Sequence, residues 1–203
     1  MEQIMERSEV EFAARRHLLQ RGVLDAASLE FFYRYALTRA ASGTMTLSDE
    51  QVPGTPSAYA DPTMETLLED LRPRVERATG LSLFPTYAYF RVYKQGDVLE
   101  RHRDRPSCEI SMTLNLGCSP GDPWPIFIEG PTGTASISLR PGDGLIYRGC
   151  ECHHWREAYM GEHAAQIFLH YVDENGPNAE WKFDKRPSLS SLRQMITGHK
   201  SSL

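Results

Sequence analysis

No apolar run in this chain approaches the roughly 20 residues needed to cross a bilayer. Its first residues, Met-Glu-Gln-Ile-Met-Glu-Arg, lack the basic-then-apolar order of a signal peptide. Both absences point to a cytoplasmic protein. Cysteine is sparse, with only Cys108, Cys118, Cys150 and Cys152. A chain of 203 residues builds a core without disulfides, so these thiols are expected to stay reduced. A cationic excess is missing too. The net charge of -5 gives no long-range pull on phosphate backbones or anionic lipid, which argues against nucleic acid and membrane as partners. The sequence has no internal repeat and no sign of a second domain.

The first part of the chain carries two helical patterns. Asp25 is placed to cap a helix running to about Ala40, with Leu29, Phe32, Tyr33, Ala36, Leu37 and Ala40 as its apolar stripe. A second helix is expected from Pro62 to about Thr79, capped by Asp61, ended by Gly80 and kinked at Pro73. Its buried face is Met64, Leu67, Leu68, Leu71, Val75 and Ala78. Between the helices, Ser42 to Tyr59 reads as a surface loop or as a lid over a substrate mouth.

From Phe84 the period drops to two. Thr86–Tyr93, Val98–Asp104, Cys108–Leu116, Pro125–Glu129, Thr134–Leu139, Gly144–Arg148 and His163–Val172 read as strands separated by Gly, Pro and Asp turns. In the third, Ile110, Met112, Leu114 and Leu116 face one way; Glu109, Ser111, Thr113 and Asn115 face the other, towards solvent or a pocket. Many short strands after two helices give a mainly β fold with supporting helices, a sandwich or jelly roll. The chain divides into 1–83 (helical support and candidate lid), 84–173 (jelly-roll core) and 174–203 (a covering tail that frays near Ser201).

Chemistry concentrates in Tyr93-Lys-Gln-Gly-Asp-Val-Leu-Glu-Arg-His102-Arg-Asp104. On a strand, His102 and Asp104 share a face and reach one metal ion together. A third ligand from His153-His154, about fifty residues on, completes a two-His, one-carboxylate triad with open positions for oxygen and substrate. A regular strand lets only one of the two histidines point inward. Cys150 and Cys152 lack the separated pairs of a zinc site and read as packing thiols. His170 reads as a core histidine with one backbone hydrogen bond, and His17 and His199 as surface residues. Arg103 is expected to point away from the metal and Arg105 towards a substrate carboxylate. Trp124 packs or borders the substrate mouth.

Tyr93-x-x-Gly96, His102-x-Asp104, the Pro141-Gly-Asp-Gly144 turn, His154 and the closing strand Ala165–Val172 resemble the prolyl-4-hydroxylase-like branch of the 2-oxoglutarate, iron(II) oxygenases. The resemblance covers roughly Phe84 to Val172. It implies a double-stranded β-helix, a cupin-like jelly roll, holding iron through His102, Asp104 and His154. It favours His154 over His153, because the ligand falls directly before Trp-Arg. The implied activity is hydroxylation of an unactivated C–H with dioxygen, releasing succinate and CO2, with ascorbate as a candidate reductant. The substrate is a small molecule, an amino acid or a peptidyl residue.

One feature departs from the family pattern. The Arg or Lys that pairs with the far carboxylate of 2-oxoglutarate, about nine or ten residues past the last His, is replaced here by His163 and Ala164. A bidentate arginine is the better clamp for a carboxylate. Arg156 is the first substitute, with Arg91 and Arg105 as rivals; Tyr93, Thr113 and His163 complete the candidate cosubstrate residues. The missing cation keeps open a cupin-like metal dioxygenase or isomerase without a keto acid; a non-catalytic jelly-roll binding module that retains a vestigial site is a third reading.

Overall fold

The structure, a computed structural model, describes residues 2–119 and 124–190. Among these, three helices, α1 (Glu2–Arg15), α2 (Ala26–Ala41) and α3 (Pro62–Thr79), accompany ten strands. These are β1 (His17–Gln20), β2 (Ser57–Tyr59), β3 (Leu83–Lys94), β4 (Leu99–His102), β5 (Ile110–Cys118), β6 (Ile126–Gly130), β7 (Gly133–Ile137), β8 (Gly144–Arg148), β9 (His153–Arg156) and β10 (His163–Asp173). A six-stranded sheet in the order β1-β8-β5-β10-β3-β2 faces a four-stranded sheet in the order β4-β9-β6-β7. All strand pairs are antiparallel, which gives the expected jelly roll.

Capping chemistry sets the helix ends. The Asp25 side chain accepts from the Ser28 amide, and that of Asp61 from Thr63 and Met64. Gly80 closes α3 in the left-handed region, at φ 72°. The expected apolar face of α3 is buried, with Met64, Leu68 and Val75 fully enclosed. It packs, with Ala36 of α2, in one cluster with Ala88, Phe90, Ile110, Met112, Leu114, Ile167 and Leu169 of the larger sheet. Burial of each larger side chain contributes about 1.5–3 kcal/mol. One face of the central strands is thereby committed to the helices, and period two turns the other face into the jelly roll.

Several expectations change. β1 and β2 lie before residue 84 yet join the larger sheet, so the jelly roll begins earlier than its sequence signature. α1 is an element the periodicity left unread. Strand β4 stops at His102, placing Asp104 in the connection beyond it. His17 is buried rather than exposed, its Nδ1–H donating to the Arg15 carbonyl at 3.0 Å. His199 and the frayed end near Ser201 fall outside the described residues.

Candidate functional site

The inward rows of the larger sheet follow from its register. Tyr87, Tyr89, Arg91 and Tyr93 of β3 stand opposite His170, Phe168, Gln166 and Ala164 of β10. The row continues through Ser111, Thr113 and Asn115 on β5 and Tyr147 and Leu145 on β8. The polar face of β5 therefore looks inward, not to solvent.

On the smaller sheet, His102 and His154 are direct cross-strand partners, with ring centroids 4.3 Å apart. Asp104 Oδ1 lies 3.6 Å from Nε2 of His102 and 3.5 Å from Nε2 of His154. His102 Nδ1–H donates to the Glu100 carbonyl at 2.7 Å and His154 Nδ1–H to that of Cys152 at 3.1 Å. These bonds place the proton on Nδ1 of each ring, so that Nε2 of the neutral ring is free to offer its lone pair to a metal ion beside Asp104 Oδ1. Burial opposes ionisation of Asp104, but the two imidazoles facing it overcome this and hold its pKa well below the usual range. Burial likewise disfavours charge on His102, yet Asp104 and the Glu100 carbonyl outweigh it and raise the pKa. His153, next along β9, points to the opposite face and lines a small surface hollow with Glu129 and Glu151.

Asp104 is held on its other side. Its amide donates to the Gly149 carbonyl at 2.9 Å, and Ser111 Oγ–H donates to Oδ2 at 3.2 Å. Ser111 Oγ also lies 2.9 Å from His170 Nδ1, whose ring packs 4.6 Å from that of Tyr87. Burial lowers the His170 pKa to about 4, so the ring is neutral. The expected bland core histidine is thus part of the site, bonded to a side chain rather than to backbone.

A cavity of about 420 Å³ opens over the triad, walled by Tyr59, Tyr87, Tyr89, Tyr147 and Phe168. The 42–59 segment contributes Asp49 and Gln51 to this wall, so it covers part of the mouth. Asp49 is paired with Arg91 and accepts from Tyr89 Oη. Burial works against the Arg91 charge, but Tyr93 and Asp49 more than offset it and raise its pKa. Asp49→Ala strands that guanidinium; a loss of about 3–5 kcal/mol is expected in chemical denaturation. Arg105 pairs with Asp184 at 2.8 Å and lies over the Tyr87 ring.

Arg156 differs from both rivals. It is 1% exposed, and no carboxylate pairs with it among the described residues. Nη1 donates to the Trp124 carbonyl at 2.7 Å, Nη2 lies 3.5 Å from Gln166 Oε1, and Nε has no partner. Burial pulls its pKa down to about 10. Trp124 covers the guanidinium face at 4.6 Å and packs edge-on to Tyr93. Thr113 Oγ1, also buried, lacks a partner too. His163 does not join this group: it occupies the outward phase of β10, where its Nε2 bonds Tyr33 Oη at 2.7 Å.

The chain has the fold of the 2-oxoglutarate-dependent, non-haem iron oxygenases. Among solved structures it is similar to the nogalamycin-biosynthesis epimerase SnoN, with TM-score 0.74 and 14% identity over 85% of this chain and 84% of that one. It is also similar to EctD from S. alaskensis (0.70, 14%, 91% and 85%) and to a Pseudomonas putida prolyl-4-hydroxylase (0.67, 16%, 83% and 98%). Neither a family profile nor a curated protein sequence matches the chain. No described helix is long and apolar enough to cross a membrane.

Proposed function

We propose that this protein is an iron(II)- and 2-oxoglutarate-dependent oxygenase that hydroxylates a C–H bond of a small molecule, amino acid or short peptidyl segment. The observation that carries the reading is a pair of features on one four-residue strand. His154 completes a set of metal-ligand atoms with His102 and Asp104, all within 4.8 Å of one another. Two residues further along the same face, Arg156 buries a cation without an anion. A buried charge needs a partner, and a metal-chelating acid with a second carboxylate supplies it. EctD, of the same fold, has been solved with 2-oxoglutarate and 5-hydroxyectoine.

The donor set fits the group. Two neutral imidazoles and one carboxylate suit iron(II) and leave coordination positions free. Bound iron and 2-oxoglutarate supply the oxidising power, one oxygen atom leaving in succinate and the other entering the substrate. His102, His154 and Asp104 Oδ1 hold the ion; Ser111 keeps Oδ2 occupied so that Oδ1 stays in place. Arg156, with Tyr93 and Thr113, receives the far carboxylate. The aromatic walls exclude water, and the cavity volume suits a small molecule or one side chain.

Anaerobic addition of iron(II) and then 2-oxoglutarate to the metal-free protein tests this reading. A weak visible charge-transfer band, absent from Asp104→Ala, supports it; iron binding without a band favours a keto-acid-independent metal enzyme. The two histidines separate in the same assay. His154→Ala is expected to abolish iron binding, whereas His153→Ala changes affinity by less than about threefold, since surface substitutions away from such contacts have small effects. The reverse order would reassign the ligand.

A further inference from the structure

The jelly roll has a second cavity, open to the surface. The triad lies where β4 ends and β9 begins, while Arg156 stands at the other end of β9. There a rear cavity of about 390 Å³ is lined by Arg156, Asn115, Gln166, Ala164, Arg21 and Arg140 among others. Among the described residues, three of those lining it are arginines and none is acidic. Arg21 is paired with Asp143, but the Arg140 guanidinium has no hydrogen bond or ion pair among the described residues. The space therefore suits an anion.

Arg156 lines this rear cavity and not the one over the triad, and it stands between the rear cavity and the metal-ligand end of β9. His154 and Arg156 are two residues apart, roughly 7 Å along a strand. A keto acid chelated beside His154 extends towards the guanidinium, and what lies past the guanidinium is cavity rather than packed core. Ala164, opposite Tyr93 on the inward face, is a small side chain in the rear-cavity wall. Gln166 and Asn115 bond each other at 3.1 Å and give that wall a polar part.

We propose that the cosubstrate pocket continues past Arg156 into the rear cavity, so that it accepts dicarboxylic 2-oxo acids longer than 2-oxoglutarate. The inference rests on the oxygenase reading above. Each added methylene carries the far carboxylate along the guanidinium edge, towards the unpartnered Nε and the rim arginines.

The test is an anaerobic titration of the iron(II)-loaded protein with 2-oxoglutarate, 2-oxoadipate and 2-oxopimelate, read by the chelate band. 2-Oxoadipate is expected to bind within about tenfold of 2-oxoglutarate, a difference below about 1.4 kcal/mol. A 2-oxoglutarate band with no 2-oxoadipate band at hundredfold higher concentration overturns the inference alone. Iron binding with no band from any acid overturns the oxygenase reading as well. Ala164→Leu narrows the passage and is expected to weaken 2-oxoadipate at least tenfold more than 2-oxoglutarate; equal losses contradict the route. If this variant melts far below the wild type, the wild-type chain-length series decides by itself.

Discussion

Replacing Arg156 by leucine is expected to weaken 2-oxoglutarate binding by roughly 2–5 kcal/mol, about 30-fold to several-thousand-fold, with iron affinity unchanged. The loss is large because the carboxylate would lose a buried guanidinium that no carboxylate pairs with among the described residues. The same substitution is expected to leave the melting temperature of the ligand-free protein unchanged or higher. A guanidinium that is 1% exposed and lacks a counter-charge is a cost to the folded state, and apolar replacement of buried charge is often neutral or stabilising. Weaker binding with equal or greater stability is the signature of a residue kept for its ligand. A parallel fall in both would mark Arg156 as structural, held for its bond to the Trp124 carbonyl. Arg156→Lys keeps the charge without the bidentate fork and should recover only part of the affinity.

Gly149→Ala, at a residue outside the triad, is expected to damage the proposed metal site through Asp104. A methyl at Gly149 would overlap Asp104 Oδ2 and the carbonyl of Cys108. The backbone there cannot retreat freely, because its amide donates to the Glu109 carbonyl and its carbonyl accepts from the Asp104 amide. Iron affinity should fall by about 10–100-fold, as for lost supporting contacts. Stability should fall by about 1–3 kcal/mol through overpacking. Iron titration with calorimetry measures both; an unchanged iron isotherm would show that Asp104 is positioned by other means.

Legibility in the sequence followed the strength of each local pattern. The alternation of Ile110 to Leu116 is unbroken because one face is committed to helices and the other to the interior, so the strand and its two faces are readable, but whether the polar face meets solvent or a pocket is not. The α3 boundaries were readable from Asp61, Pro62 and Gly80, whose side-chain and backbone properties act locally. β1 and β2, with four and three residues, are too short for a period and owe their conformation to partners in the sheet. Alternation predicts which way a residue faces but not what stands there. His170 was therefore assigned to core packing, although it meets Ser111 beside the triad. Asp49 was hidden for a related reason: its partner Arg91 is 42 residues away, and nothing local announces the pairing. Arg156 was visible because the expected cation was absent and period two put this arginine on the face of His154. Family spacing alone lands on His163, but the phase of β10 turns that side chain outward to Tyr33.

On the proposed reading, the direct pairing of His102 with His154 makes the metal a rivet as well as a reagent. β4 is a four-residue strand at the margin of its sheet, tied only to β9, and its register with that neighbour is irregular between Leu99 and His102. An ion gripping both histidines crosslinks the last rung of that ladder. Iron uptake and closure of the sheet margin then become a single event, and chelation loosens the margin before it touches the helix-backed sheet. Hydrogen exchange in Leu99–His102 should accelerate on iron removal, while exchange in β5 and β10 stays unchanged.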